Sequence, residues 1–245
     1  MKLLSRSSFA DIYLFEDGEK YIVKKYHRAI GDEAFFLRLL NGIYTPALYR
    51  SDSESVTMEY IDGTDLGTYL RAHALPSLEK RMLLMRSIAH VYSFFHSNGV
   101  LHMDPKPGNI LIKKDESIKI IDFQLSTLIE APRSILSEHG IPYYWYSVRP
   151  PESFRPDFTP TIKSEIYALG QLFYYILHSR FLFESFITED EYERKKDKIR
   201  EFHEHIDRVN LPDEPLYGII SAMMQRDERL RPDSMNTVVQ SLKSL

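Results

Sequence analysis

Four polar side chains with complementary chemistry lie close together in the sequence, on predicted loops between short apolar segments. Asp104, Lys106 and Asn109 fall within six residues, in a stretch that two prolines and a glycine interrupt. Asp122 follows eighteen residues after Asp104, at the end of the apolar run 118–121. Two acids, a cation and an amide are the groups that phosphoryl transfer from a magnesium nucleotide requires. One acid orients or deprotonates a hydroxyl, the other acid and the amide bind the metal, and the lysine neutralises the phosphoryl group.

The composition excludes several classes of protein. Apolar residues make up 43 % of the 245 residues, which is enough for a folded core. The net charge is −4 and no long basic run is present, which argues against a dedicated nucleic-acid or anionic-membrane binder. No apolar stretch reaches about 18 residues, and Lys2 precedes only a short apolar pair, so we expect neither a transmembrane helix nor a signal peptide. The absence of cysteine excludes disulfides and favours a cytoplasmic location.

Turn and periodicity signals predict a strand-rich first quarter. Residues 9–26 are predicted to form strands around a tight turn, and further strands are expected at 46–50 and 55–60. Between them, 32–41 is expected to be a helix with Asp32 as its N-cap. The residues of this region that we expect to be buried include Ile12, Leu14, Ile22, Val23, Phe36, Leu37 and Leu40.

The remainder of the chain is predicted to be mainly helical. A helix capped by Ser77 is expected to run to about residue 97, and short strands follow at 109–113 and 118–121. Further helices are expected after the cap Thr159-Pro160, after a capping box of Thr188 and Glu191 up to about 208, at about 214–225 and at about 233–244. This order of elements predicts an α+β protein with two lobes and a hinge near 60–64.

With these residues in place, the chain resembles the protein-kinase family over more than 200 residues. The catalytic-loop pattern of that family matches His102, Asp104, Lys106 and Asn109, and its metal-binding triplet matches Asp122-Phe123-Gln124. The other matches are the phosphate-binding strand lysine (Lys24), its helix glutamate (Glu33), the adenine strand and hinge (56–61), the end of the activation segment (150–152) and the late arginine (Arg231). Seven motifs in the family's order make the resemblance specific.

The resemblance implies one bilobal protein-kinase-like domain at 1–245. Its small antiparallel-sheet N-lobe with one helix would span 1–61, and its mainly helical C-lobe would span 62–245. The implied reaction transfers the γ-phosphate of ATP, with Mg²⁺, to a serine or threonine hydroxyl of a protein. A lysine two residues after the base is the form that serine/threonine kinases have.

The resemblance also implies roles for individual residues. Asp104 would be the catalytic base, Lys106 would contact the γ-phosphate, and Asn109 and Asp122 would hold Mg²⁺. Lys24, positioned by Glu33, would hold the α- and β-phosphates; Lys25 is the alternative to Lys24, and strand alternation favours Lys24. The remaining nucleotide-binding residues would be Met58 as gatekeeper, Glu59, Tyr60 and Ile61 at the hinge, and Ser7 and Ser8 in the phosphate loop.

The phosphate loop departs from the family's pattern because it contains no glycine. Ser5, Ser7 and Ala10 stand at the glycine positions. Side chains there limit the approach of the backbone to a phosphate. The backbone amides and serine hydroxyls are still expected to donate hydrogen bonds, so we expect nucleotide binding to be weakened.

Other departures affect the catalytic loops. Gln124 replaces a glycine and should restrict the flexibility of the metal-binding triplet. Met103 replaces the arginine before the base, so the catalytic loop has no partner for a phosphate on the activation segment, and we predict activity without such phosphorylation. Glu165 replaces the aspartate that braces the catalytic loop, and His102 is expected to be structural.

Two other functions remain open. A small-molecule or glycolipid kinase is suggested because Asp-Phe-Gln is similar to the triplet of bacterial small-molecule and lipopolysaccharide-core kinases, and because 140–152 aligns poorly with protein kinases. A pseudokinase that only binds nucleotide is suggested by the glycine-free loop. The sequence gives no expectation for the oligomeric state.

Overall fold

The computed structural model describes residues 1–27, 32–72, 76–131, 146–155, 157–182, 211–212 and 214–245. The first strands of the chain are β1 (Lys2–Arg6), β2 (Ala10–Asp17), β3 (Glu19–Tyr26), β4 (Leu48–Ser51) and β5 (Ser55–Glu59). They form one antiparallel sheet in the order β1-β2-β3-β5-β4. The strands expected in the first quarter of the chain are therefore confirmed.

The sheet also contains a strand, β1, that the sequence does not predict. All five of its side chains are exposed, so no apolar alternation marks it. Among the predicted core residues of β2 and β3, Leu14 is buried. Ile12, Ile22 and Val23 are only half-buried, so that part of the prediction is wrong. Ile12 and Ile22 line a cleft, which explains why apolar side chains remain partly open there.

The first helix, α1 (Glu33–Leu40), packs beside the sheet. Asp32 caps it, because its side chain accepts the Phe35 amide at 2.9 Å. Phe36, Leu37 and Leu40 are buried on its inner face, as the apolar spacing predicts. This helix places Glu33, at its first turn, against the end of β3.

The middle of the chain alternates short strands with two helices. Its elements are β6 (Gly63–Asp65), α2 (Leu66–Ala72), α3 (Leu78–Ser97), β7 (Val100–Leu101), β8 (Ile110–Lys113), β9 (Ile118–Ile120) and β10 (Thr127–Leu128). Strands β6, β8 and β9 form one small sheet, and β7 pairs with β10. The Ser77 side chain accepts the Lys80 amide, which confirms the predicted cap of α3. The predicted division at 61/62 lies between β5 and β6 and stays a prediction.

The last described helices are α4 (Ile162–His178), α5 (Pro215–Met223) and α6 (Met235–Lys243). The cap predicted at Thr159-Pro160 is wrong, because α4 begins after Thr161. Thr161 accepts the Ser164 amide, and the Ser164 hydroxyl accepts the Thr161 amide, which completes a capping box. The helix predicted from Thr188 lies outside the described residues. None of the helices in the described ranges is long and apolar enough to cross a membrane.

A buried ion pair ties the segment before α4 to the segment before α6. The Arg231 guanidinium donates to both oxygens of Glu152, at 2.6 and 2.8 Å. The two side chains are 0 % and 5 % exposed. The pairing that the family resemblance implies for these residues is therefore confirmed, and the fold is α+β as predicted.

Candidate active site

Three charged groups from distant parts of the chain meet beside β3, the central strand of the first sheet. The Lys24 ammonium, on β3, lies 2.9 Å from Glu33 Oε2 and 2.8 Å from Asp122 Oδ1. Lys24 is buried whereas Lys25 is exposed, because successive strand residues point to opposite faces. Burial alone would lower the pKa of Lys24, but the charges of Asp122 and Glu33 outweigh it and raise that pKa. The ammonium therefore stays charged between the two acids.

The Glu33 carboxylate accepts further hydrogen bonds. Tyr26 Oη donates to Glu33 Oε2 at 2.7 Å, and the Phe123 amide donates to Oε1 at 3.1 Å. Burial and the charge of Glu33 raise the pKa of Tyr26, so its hydroxyl remains a donor. Sequence reasoning missed Tyr26. The available signal was its place two residues after Lys24, on the same face of β3.

Asp104 lies on the loop between β7 and β8, and its neighbours in sequence hold its carboxylate. Asn109 Nδ2 donates to Asp104 Oδ2 at 2.8 Å and to the Asp104 carbonyl oxygen at 3.0 Å. The Lys106 ammonium forms an ion pair with the same carboxylate oxygen. A single 3-10 turn that begins at Pro107 brings Asn109 back towards Asp104. The cluster predicted from spacing is thus one hydrogen-bonded unit, and Asp104 Oδ1 takes no part in these contacts.

The backbone is in the left-handed region at two positions of this site. Met103 has a φ of +70° and Asp122 a φ of +69°. This conformation costs a non-glycine residue about 1–3 kcal/mol and persists where the surroundings enforce it. Glu165 Oε1 accepts the Met103 amide at 2.7 Å, and His96 Nε2 lies 2.8 Å from Glu165 Oε2. The predicted support of the catalytic loop by Glu165 is therefore confirmed. His96, which sequence reasoning missed, contacts the other oxygen of the Glu165 carboxylate.

His102 is structural, as expected. Its ring is fully buried, and Nδ1 accepts the Asp104 amide at 3.3 Å while Nε2 lies 3.2 Å from the Ile121 carbonyl oxygen. A neutral ring with its proton on Nε2 satisfies both contacts. The ring of Phe123 packs edge-on against it, with centroids 4.8 Å apart. His102 therefore joins the Asp104 loop to the Asp122 loop.

The charges of the two loops stabilise one another. Burial alone would raise the pKa of the Asp122 carboxyl, but Lys24 and Lys106 lower it to about 2. Burial likewise opposes the charge of Lys106, while Asp104 and Asp122 raise the pKa of that ammonium. The Asp122 carboxylate and the Lys24 and Lys106 ammonium groups are thus held ionised together.

A cavity of about 390 Å³ lies beside these charges. Its walls include the predicted gatekeeper and the three predicted hinge residues, polar and charged groups at its margin, and an apolar surface: Met58, Glu59, Tyr60, Ile61, Lys24, Glu33, Asn109, Asp122, Ile12, Ile22, Leu111 and Ile121. The side chain of Glu59 is committed elsewhere, because its Oε2 accepts the Ala47 amide at 3.0 Å. An apolar wall with a charged margin suits a ligand with a flat ring and an anionic tail.

The predicted phosphate loop follows β1 at the edge of this cavity. All three serines of this loop are exposed; Ser5 lines the cavity, whereas Ser7 and Ser8 are not among its lining residues. The Ser7 hydroxyl oxygen accepts the amides of Phe9 and Ala10 at 3.2 and 3.1 Å. These amides and the Ser7 hydroxyl are therefore engaged within the loop, and the expectation that they donate to a phosphate stays a prediction. Ser8 makes no side-chain hydrogen bond within the described part of the chain.

The residues predicted to hold Mg²⁺ have suitable oxygen atoms. Asn109 Nδ2 donates to Asp104, which leaves the amide oxygen as its acceptor. Asp122 Oδ2 accepts no hydrogen bond from the described residues. Among those residues, no group of three or more histidine, aspartate or glutamate side chains could hold a metal by itself. Magnesium at nucleotide sites binds one or two protein carboxylates together with phosphates and waters, so Asn109 and Asp122 fit that ion.

The comparison with protein families agrees with this architecture. The family model described as the protein kinase domain matches residues 36–242. Because this match covers most of the chain, the chain belongs to the protein kinase family. The matched residues include the Asp104 and Asp122 loops and reach into α6.

Several curated relatives are similar to this chain. The serine/threonine-protein kinase TOUSLED of Arabidopsis thaliana is 34 % identical over 131 residues, which are 50 % of this chain and 19 % of the relative. Tousled-like 1 of Caenorhabditis elegans is 30 % identical over 172 residues, 64 % of this chain and 17 % of the relative. PknB of Mycolicibacterium smegmatis is 25 % identical over 122 residues, 50 % of this chain and 19 % of the relative. The chain thus spans about a fifth or less of the length of these relatives.

Proposed function

We propose that this chain is a serine/threonine protein kinase that transfers the γ-phosphate of MgATP to a protein hydroxyl. The observation that carries the proposal is the contact of Lys24 with both Glu33 and Asp122, beside the unit of Asp104, Lys106 and Asn109. The names of the relatives support the same class of reaction.

The proposed chemistry consists mainly of positioning and charge neutralisation. Asp104 orients the acceptor hydroxyl and takes its proton through Oδ1, the oxygen that Lys106 and Asn109 leave free. Lys106 neutralises the transferred group, and Lys24 holds the phosphates that remain. Asn109 and Asp122 hold Mg²⁺, which neutralises phosphate charge when bound. The backbone at Met58, Glu59, Tyr60 and Ile61 receives the adenine.

Transfer of radiolabelled phosphate from ATP, with magnesium and a protein acceptor, tests this proposal. Asp104→Ala and Asp122→Ala are each expected to reduce transfer at least about 100-fold, since each removes a group that acts on the reacting atoms. Asp115→Ala is the matched control, because the Asp115 side chain is 63 % exposed in the turn between β8 and β9. Equal transfer by the wild type and Asp104→Ala would refute the proposal.

A protein that binds nucleotide without transferring phosphate is the second candidate. The hydrogen bonds of Ser7 favour it, because they occupy amides at the position of the family's phosphate loop. ATP binding by the wild type, together with transfer no greater than that of Asp104→Ala, would support this candidate against the first.

The acceptor class requires its own test. The buried pair of Glu152 and Arg231 favours a protein acceptor, because the resemblance assigns this pair to protein kinases. Comparing a protein with sugar and lipid acceptors at equal concentration measures the preference. Transfer to a sugar or lipid alone would point to a small-molecule or glycolipid kinase with the same site.

A further inference from the structure

The Ser7 side chain, in the predicted phosphate loop, forms hydrogen bonds with the backbone of the same loop. Ser7 Oγ accepts the Phe9 amide at 3.2 Å and the Ala10 amide at 3.1 Å, and it donates to the Ala10 carbonyl oxygen at 3.1 Å. The Ser7 amide donates to the same carbonyl at 3.0 Å. Two successive amides thus converge on one oxygen atom, which is how a protein backbone binds an oxygen of an anion.

This loop stands where a nucleotide phosphate is expected. Ser5 pairs with Ile12 across β1 and β2, and both residues line the cavity. Ile12 in turn pairs with Lys24 on β3. Ala10 lies two positions before Ile12 in β2 and pairs with Tyr26, the residue that donates to Glu33. The Ala10 amide therefore begins the strand that flanks Lys24, and the Phe9 amide directly precedes that strand.

We propose that the Ser7 hydroxyl competes with the nucleotide phosphates for the backbone amides of Phe9 and Ala10. This inference rests on the proposed function, because it requires that ATP binds in the cavity, and it reverses the expectation that Ser7 donates to a phosphate. A phosphate oxygen can accept from the Phe9 and Ala10 amides only after the Ser7 side chain has rotated away. That rotation breaks the three hydrogen bonds of the hydroxyl, so Ser7 lowers affinity for ligands that carry phosphates and leaves adenosine binding unaffected.

Calorimetric titration of the full chain with ATP and with adenosine, both with magnesium, tests the competition. Ser7→Ala is expected to bind ATP about three- to tenfold more tightly, the range for one neutral hydrogen bond that no longer competes. Its adenosine affinity is expected to be unchanged. Ser7→Gly gives a second variant without the hydroxyl and is expected to change in the same direction. Ser53→Ala is the matched control, because it removes an exposed hydroxyl in the turn between β4 and β5, which does not line the cavity, and it is expected to leave both affinities unchanged.

The outcomes separate this inference from the proposed function. Weaker ATP binding by Ser7→Ala and Ser7→Gly would mean that the hydroxyl contacts phosphate, and unchanged binding would mean that the amides do not meet phosphate. Either result overturns the inference and leaves the proposed function standing. If the wild type and all variants fail to bind ATP, the proposed nucleotide site is refuted and the inference with it.

Discussion

Lys24 Nζ and Asp122 Oδ1 lie 2.8 Å apart although 98 positions separate the two residues in the chain. The same ammonium lies 2.9 Å from Glu33 Oε2, so one cation neutralises two acids that belong to a helix and to a loop. Without that cation the two carboxylates would repel each other across a buried space. Lys24 therefore supports both the proposed chemistry and the packing of α1 against the sheet.

We predict that Lys24→Met abolishes transfer and also destabilises the fold. The lost cation leaves Glu33, which is 1 % exposed, with hydrogen-bond donors but no opposite charge. Breaking a buried pair in this way is expected to cost about 3 kcal/mol of unfolding free energy. Urea unfolding measures it, and Lys25→Met, on the exposed face of β3, is the control with an expected loss below about 1 kcal/mol. Equal losses in the two variants would contradict the role of Lys24.

Two arginine–acid pairs in the last part of the chain provide a comparison of buried and exposed charge. Glu152 and Arg231 are 5 % and 0 % exposed, whereas Asp227 and Arg229 are 36 % and 85 % exposed. Arg231→Met is expected to lower the unfolding free energy by about 3–5 kcal/mol, because it leaves a buried charge unpaired. Arg229→Met is expected to cost less than about 1 kcal/mol, because water replaces the lost partner. Similar effects in the same urea titrations would show that burial does not set the energy of these pairs.

The sequence predicted the chemical groups of the site better than the residues that support them. Asp104, Lys106 and Asn109 were predictable because their types and local spacing are distinctive, and the 3-10 turn between them is a local structure. Tyr26 and His96 contact acids that lie on other elements, at Glu33 and Glu165, so no local pattern indicates their partners. The roles assigned to the site residues stay predictions until they are tested by mutation.

The errors in the fold prediction have similar causes. Strand β1 has only exposed side chains, so its existence depends on pairing with β2 and not on burial. Thr159 and Thr161 are both good N-cap residues, and Pro160 after Thr159 favoured the wrong one. The start of α4 is decided by Ser164, which lies three residues after Thr161 and can return its hydrogen bond.

Shortening the Glu165 side chain, which accepts a hydrogen bond from the Met103 amide of the catalytic loop, is expected to slow catalysis without weakening ATP binding. In Glu165→Asp the carboxylate is one methylene shorter and cannot reach both the Met103 amide and His96. Because Met103 precedes Asp104, the base is expected to shift, and kcat to fall about tenfold or more. Initial rates at varied ATP measure kcat and KM separately, and the exposed Glu130→Asp is the control. A rise in KM with unchanged kcat would contradict a role in positioning the base.

The Asp122 carboxyl is expected to contribute acid-dependent stability. Burial raises its pKa, but Lys24 and Lys106 lower it to about 2, below the value of about 3.9 for an unfolded chain. A lowered pKa means that ionised Asp122 stabilises the fold above about pH 4, and that this contribution disappears as the pH falls towards 2. The difference in unfolding free energy between wild type and Asp122→Asn should therefore be constant from pH 7 to 5 and shrink from about pH 4 to 2. A difference that stays constant down to pH 2 would refute this prediction.

Transfer activity is expected not to require phosphorylation of the segment between Asp122 and Pro151. Met103, at the position before Asp104, is fully buried and packs in an apolar cluster with Leu101, Val148, Ala168 and Phe181, so this position offers no cation to a phosphate.

Phosphatase treatment, with mass spectrometry to verify a phosphate-free chain, is expected to change the initial rate by less than about twofold. A protein that stays inert until the segment is phosphorylated would overturn the prediction. Because Glu165, a residue of α4, holds the Met103 amide, the catalytic loop takes its conformation from the helical part of the fold.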